Sequence, residues 1–243
     1  MRLVAPLIAL LALAPSATEA ACVAQSAATR PHLVELYTAE GCSSCPPAEK
    51  WLSSLRESTS YVALEFHVDY WDSQGWRDPY ADARYTARQQ ALAKRGSRNI
   101  VYTPQIAVDG RVWKDWPKGA PPAAVDISAP ALSLEVQPGD AVRVKVGTAP
   151  DAKTPDSWRL FVALSENGLT SAVNAGENKG KQLDHDHVVR DLEGPFELPN
   201  AEAVLKRPAA SESSKSAVVA FVQDTANGDI VQALRLPLAE CKP

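Results

Sequence analysis

The chain reads as an α/β domain followed by an all-β, sandwich-like domain, and three observations carry that reading. A short apolar run, Leu33 to Tyr37, leads into a helical pattern from Pro46 and then into a second strand-like run, Tyr61 to His67, which together make a β-α-β unit. After Pro130 the hydrophobic period changes to two, with turn residues between short alternating runs. At 243 residues and 45% apolar content, the chain is long enough for one large or two ordinary domains.

The first twenty residues have the composition of an export signal. Arg2 gives a positive start, Leu3 to Ala14 is an apolar run too short to span a bilayer, and Ala17 to Ala21 is rich in small residues. Cleavage after Ala20 is expected, which divides the chain into a signal peptide (1–20), an α/β domain (21–128) and a β domain (129–243). The mature protein is then periplasmic or secreted, and no later run is apolar enough to span a membrane. A formal net charge of −4 with mixed signs gives no general attraction to nucleic acid or anionic lipid.

Within the first domain, Leu33 to Tyr37 carries Glu35 as its only charge, as expected of a strand buried on both faces. From Pro46 a helix places Ala48, Trp51, Leu52 and Leu55 on one stripe and Glu49, Lys50, Ser53 and Ser54 on the opposite one. Gly41 allows a sharp turn, and Pro46 and Pro47 fall in the first helical turn, where a missing N–H costs least. Cys42 and Cys45 therefore sit at a helix start, where unpaired N–H groups favour thiolate over thiol. An attack by Cys42 on a disulfide is resolved by Cys45 three residues on. The other readings of the pair are a structural disulfide or half a zinc site. A structural zinc site wants about four ligands, there is no second C-x-x-C, and His32, His67, His185 and His187 are the only histidines. The remaining cysteines, Cys22 and Cys241, are most simply a structural disulfide in an oxidising compartment, closing nearly the whole mature chain.

Tyr61 to His67 is the second strand, and Val68 to Pro79 after it is too aromatic for a plain connector. It leaves the carboxyl end of its strand, the edge where open α/β sheets bind ligands. Trp71 and Trp76, with His67 and Asp69 as polar companions, are candidate substrate-binding residues; the alternative is that the rings cover the sheet edge as a minor core. Tyr80 to Arg95 is a helix with Ala83, Ala87 and Leu92 inward and Arg84, Arg88 and Lys94 outward. Gln105 to Trp113 alternates around Asp109-Gly110, a hairpin signal.

In the second domain, strands are expected at Leu132 to Gln137, Ala141 to Gly147, Trp158 to Ser165, His187 to Leu192, Ala217 to Gln223 and Ile230 to Leu236. Asn167 to Gln182 reads as a long loop. His185 and His187 share a face if their segment is extended, within reach of a common metal, although a solvated edge is the commoner setting for such a pair.

Taken together, the strand ending in A-E-G before C-x-x-C, the alternation of helix and strand, and T-P leading into a hairpin resemble the thioredoxin fold. LVELYTAEGCSSCPPAE, HVDYWDSQGWRDPYA, VYTPQIAVDG and ENKGKQLDHDHVVR are similar to a family of bacterial exported thioredoxin-like proteins whose function is not established. The resemblance implies that Cys42 attacks, Cys45 resolves, and Thr103-Pro104 is a cis dipeptide beside the dithiol, offering the Thr103 backbone to an extended substrate. It also implies that Glu35 is the buried acid serving the resolving thiol, the other reading being a carboxylate paired with Lys or Arg. Ser43-Ser44 departs from the pairs familiar in this superfamily, so the direction of electron flow stays open. The last thioredoxin helix is expected to shrink to a turn around Ala123 to Ile127.

The expected function is thus an exported thiol-disulfide oxidoreductase that needs no cofactor and meets a protein or small thiol/disulfide substrate and a redox partner. The alternatives are a copper- or zinc-binding protein or metallochaperone using the dithiol and histidines, and a scaffold whose disulfide is structural.

Overall fold

A computed structural model describes residues 21–27, 29–96, 99–119, 121, 129–149 and 154–241. The signal segment and the turn expected around Ala123 to Ile127 lie outside the described residues.

An N-terminal α/β region is followed by a larger all-β, sandwich-like region. In chain order the first contains β1 (Cys22–Gln25), β2 (His32–Thr38), α1 (Pro46–Ser53), β3 (Tyr61–His67), a 3-10 turn over Asp69–Gln74, α2 (Ala83–Arg95), β4 (Gln105–Val108) and β5 (Arg111–Val112). The second contains β6 (Leu132–Gln137), β7 (Ala141–Thr148), β8 (Trp158–Glu166), β9 (Leu169–Ala172), β10 (Gln182–His185), β11 (Val188–Phe196), β12 (Asn200–Lys206), β13 (Ser216–Asp224) and β14 (Ile230–Pro237).

Every residue of β2 is buried, as its near-continuous apolar run requires. Val34 and Leu36 pack against Ala48 and Leu52 of α1 on one face. Leu33 and Tyr37 face Phe66, Tyr85 and Leu92 on the other. Each buried Val, Leu or Phe among them contributes about 1.5–3 kcal/mol relative to exposure. β2 pairs in parallel with β3 and antiparallel with β4, giving the thioredoxin-like arrangement. The β4–β5 hairpin turns at Asp109 and Gly110 with φ of 50° and 80°, the doubly positive pair that two-residue hairpins need.

The sheet does not stop at β3. Val188 of β11 pairs in parallel with Glu65, and the order β14-β13-β8-β11-β3-β2-β4-β5 makes one eight-stranded sheet through both regions. A four-stranded sheet, β1-β6-β7-β12, lies over its C-terminal part. Leu134, Val136, Val144 and Val146 from that sheet meet Leu160, Val162, Val218 and Ala220, one in two along each strand. The alternate residues, Ala163, Val219 and Phe221, turn to the other face and join the core of β2, β3 and α2.

Five expectations are corrected by this packing. Glu49 lies on the buried side of α1 instead of its solvent side, because polar partners from the β region meet it there. Ala83 and Ala87 are exposed, and α2 instead turns Tyr85, Gln89, Leu92 and Ala93 inward. Arg88 goes with them: its guanidinium is 2.6 Å from Glu35 and lies over the rings of Phe66, Phe161 and Phe221. The segment read as a bare loop carries the β9–β10 hairpin, and His185 and His187 do not share a strand face, since His187 takes φ 62° between β10 and β11.

Candidate functional site

Cys45 occupies the N-cap of α1, with prolines at the next two positions and its carbonyl accepting from the N–H groups of Ala48 and Glu49. Cys42 and Cys45 are joined as a disulfide, with Cα atoms 5.5 Å apart, and both are fully buried. Gly41 and Gly176 stand in van der Waals contact with the segments that surround the dithiol loop. A side-chain carbon at Gly41 would stand 3.4 Å from Trp71 Cβ, and one at Gly176 would stand 3.5 Å from Gly41 Cα.

What covers the dithiol comes from the β region. The Ser43 N–H and hydroxyl donate to Glu177 at 3.0 and 2.7 Å. The Asn178 amide donates to the carbonyls of Glu40 and Cys42 at 2.8 and 2.9 Å. The tip of the β9–β10 hairpin is therefore fastened across the Cys42 loop, and those hydrogen bonds satisfy backbone groups that would otherwise be buried without partners.

The Thr103–Pro104 peptide bond is cis. Trp71 ties this turn to the dithiol loop: its ring stem packs on Gly41 while its indole N–H donates to Thr103 Oγ1 at 2.8 Å. Ile100, Val101 and Tyr102, leading into the turn, are exposed apolar residues. A groove of about 320 Å³ beside them is lined by Tyr102, Pro104, Ile106, Trp113, Lys114 and Trp116.

Beside the dithiol loop, strands and helix enclose an unusual amount of charge. Glu40, Glu49, Glu65, His67, Asp78 and His185 are all buried. His67 meets Glu65 at 2.9 Å through Nε2 and Asp78 at 2.7 Å through Nδ1. His185 meets Glu40 at 3.2 Å through Nε2, while its Nδ1 faces Glu65 at 3.2 Å and Glu49 at 3.6 Å. Burial opposes charge on His67, yet Asp78 and Glu65 raise its pKa well above the ordinary value. Burial opposes charge on His185 too, but Glu40 and Glu65 bring it up to about 9. Burial and the charge of Glu65 push Glu49 up to about 7. Glu65 and Asp78 go the other way: burial resists their ionisation, but the imidazoles outweigh it and hold them below the usual carboxylate range.

The chain matches, over residues 33–223, the family model described as a protein of unknown function, DUF1223. It belongs to the DUF1223 family. No curated protein matches it. Among solved structures it is similar to protein AGR_C_4864 from Agrobacterium tumefaciens, with 24% identity and TM-score 0.60 over 90% of this chain and 99% of that one. It is also similar to HBP35 of Porphyromonas gingivalis, with 16% identity and TM-score 0.59 over 89% of this chain and 78% of that one. At these identities the likeness is one of fold.

Within this DUF1223 chain, the residues singled out from sequence fall into several places. Cys42, Cys45, Trp71, Thr103 and Pro104 surround one loop. Trp76 joins them from below, its indole N–H donating to Glu40 at 2.6 Å. His67 is fully buried in the carboxylate cluster, and Asp69 is occupied by the Thr86 hydroxyl at 2.5 Å. Glu35 lies apart, on the α2 face, where Arg88 and the Tyr37 hydroxyl hold its carboxylate at 2.6 and 3.1 Å. Cys22 and Cys241 are disulfide-bonded, Cα atoms 5.1 Å apart, tying the start of β1 to the end of the chain. His187 is buried, which lowers it to about 4, and so is His185, against the expectation of a solvated edge. The two histidines that meet are His67 and His185, ring centroids 4.9 Å apart.

Sequence reading missed Glu40, Glu49, Asp78, Glu177 and Asn178, whose partners lie up to 145 residues away. Glu65 alone carried a signal, as the one charge inside the apolar run YVALEFH. Among the described residues, no helix is long and apolar enough to cross a membrane.

Proposed function

We propose that this protein is an exported thiol-disulfide oxidoreductase in which Cys42 attacks a substrate disulfide and Cys45 resolves the mixed disulfide. The observation that carries the reading is the Cys42–Cys45 disulfide at the start of α1 with the cis Thr103–Pro104 turn linked to it through Trp71. In the forward step the Cys42 thiolate displaces one substrate sulfur as a thiolate. Cys45 then attacks Cys42, releasing the second substrate sulfur and leaving the Cys42–Cys45 disulfide. The positive end of the α1 dipole favours the thiolate form of Cys42 before its attack on the substrate. The exposed run Ile100 to Tyr102 and the groove beside Pro104 offer apolar and backbone contacts to an extended polypeptide. With both sulfurs buried, exchange requires the Glu177–Asn178 tip to lift. The composition of residues 1–20 supports action in the periplasm or outside the cell.

Insulin reduction and oxidative refolding of a reduced protein test the reading. The wild type is expected to catalyse one of them and Cys42→Ser neither; equal inactivity of the two proteins across several redox couples overturns it. The full burial of both sulfurs favours a second reading, a structural clasp. The reduction potential separates the two: about −120 to −230 mV marks a working exchange pair, and a value below about −300 mV marks the clasp.

A further inference from the structure

We propose that Glu65, His67 and His185, with Glu49 as a fourth donor, form a buried site for a divalent transition-metal cation of the zinc class, independent of the cysteines. Glu65 Oε1, His67 Nε2 and His185 Nδ1 converge on one point: each imidazole nitrogen faces the same carboxylate, at 2.9 and 3.2 Å, and the three atoms lie within 4.8 Å of one another. Donors bound to one tetrahedral zinc ion at ordinary bond lengths stand about 3.3 Å apart, so little movement is needed. Glu49 Oε2 is 3.6 Å from His185 Nδ1 and closes the set from α1.

The outer contacts have the same character. A metal-binding histidine ordinarily gives its other nitrogen to a carboxylate or carbonyl, which fixes the tautomer and turns the ring toward the ion. Here both do so: His67 Nδ1 is held by Asp78 at 2.7 Å, and His185 Nε2 by Glu40 at 3.2 Å. Glu40 is itself oriented by the Trp76 indole and Asp78 by the backbone N–H groups of Glu40 and Tyr80.

A purely proton-bridged cluster accounts for the geometry less well. His185 Nδ1 and Glu65 Oε2 are fully buried yet have no hydrogen-bond partner, the former lying near Glu65 Oε1 but off the direction a hydrogen bond needs. Orphaned donors and acceptors in so polar an interior are costly, and a cation at the centre gives His185 Nδ1 the partner it lacks. Two imidazoles and two carboxylates are a nitrogen and oxygen set suited to Zn²⁺. All four residues are enclosed, so the site is structural, pinning α1, β3 and β10 to one another.

The test uses the mature chain with both disulfides closed, so that no thiol is available. The protein is stripped with chelator, refolded with Zn²⁺ alone so that burial does not block entry, and gel-filtered before metal analysis. The wild type and Cys42→Ser/Cys45→Ser are expected to retain about one zinc per chain, and His185→Gln and Glu65→Gln to retain none. Absence of zinc from the oxidised wild type overturns the proposal. So does loss of zinc on removing the cysteines, or its retention in both site variants. Should the variants fail to fold, the wild type with Cys42 and Cys45 reduced and loaded with Co²⁺ decides: ligand-field bands without a thiolate charge-transfer band are expected, and a thiolate band or no bands at all overturns it. None of these readouts depends on exchange activity.

Discussion

The two disulfides of this chain are the same bond in opposite settings. Cys22 and Cys241 are 219 positions apart, whereas Cys42 and Cys45 are 3 apart. Closing the long loop removes roughly 5 kcal/mol of unfolded-chain entropy in the simple model, while a three-residue loop restrains the unfolded chain far less. Conversely, Cys22 sits on a strand at the edge of the small sheet, and Cys42 and Cys45 sit at a helix start beside a cis-proline turn. Loop length sets the first pair apart, and surroundings set the second apart.

That contrast breaks most visibly at Cys42. Cys42→Ser is expected to abolish exchange in the insulin assay while leaving the thermal midpoint nearly unchanged; a large drop in midpoint with activity retained inverts the comparison. Next in size is Cys22→Ser/Cys241→Ser, which should cost about 2–5 kcal/mol, or a fall of about 4–20 °C in Tm by calorimetry, with exchange activity preserved. If this variant loses activity at full stability, the terminal bond is part of the redox chemistry.

Smaller effects sharpen the picture of how the Cys42–Cys45 pair is shielded. Asn178→Ala removes two hydrogen bonds that fasten the β9–β10 tip over the Cys42 loop. At about 0.5–1.5 kcal/mol each, their loss should speed reduction by dithiothreitol about tenfold in stopped flow, and an unchanged rate means the tip does not control access. Trp71→Phe keeps most of the ring packing but loses the bond to Thr103. Near 1 kcal/mol, this should lower the exchange rate about fivefold with little change in Tm.

Local patterns were the legible part of this molecule. The apolar run before the dithiol, the proline-marked start of α1 and the Asp109-Gly110 hairpin depend on neighbours a few residues away, so sequence alone located them. The β6, β7, β8, β13 and β14 strands were likewise readable from alternation. Long-range polar packing was not. Glu49 and Arg88 look like solvent-face residues on a helical wheel, and only partners from distant elements, His185 and Glu35, draw them inward. β12 and the short β9 were missed, and the fusion of two regions into one sheet rests on the single pairing of Val188 with Glu65, which no periodicity announces.

That single pairing has a consequence for how the protein is made. As the chain is synthesised, β3 emerges long before β11, and until β11 arrives its outer edge is an unpaired strand carrying Glu65 without His185. An open edge of this kind is a template for pairing with another chain. The window of vulnerability lasts until residue 188 is in place, so a chain stopped before that point presents an edge open to pairing with its own copies.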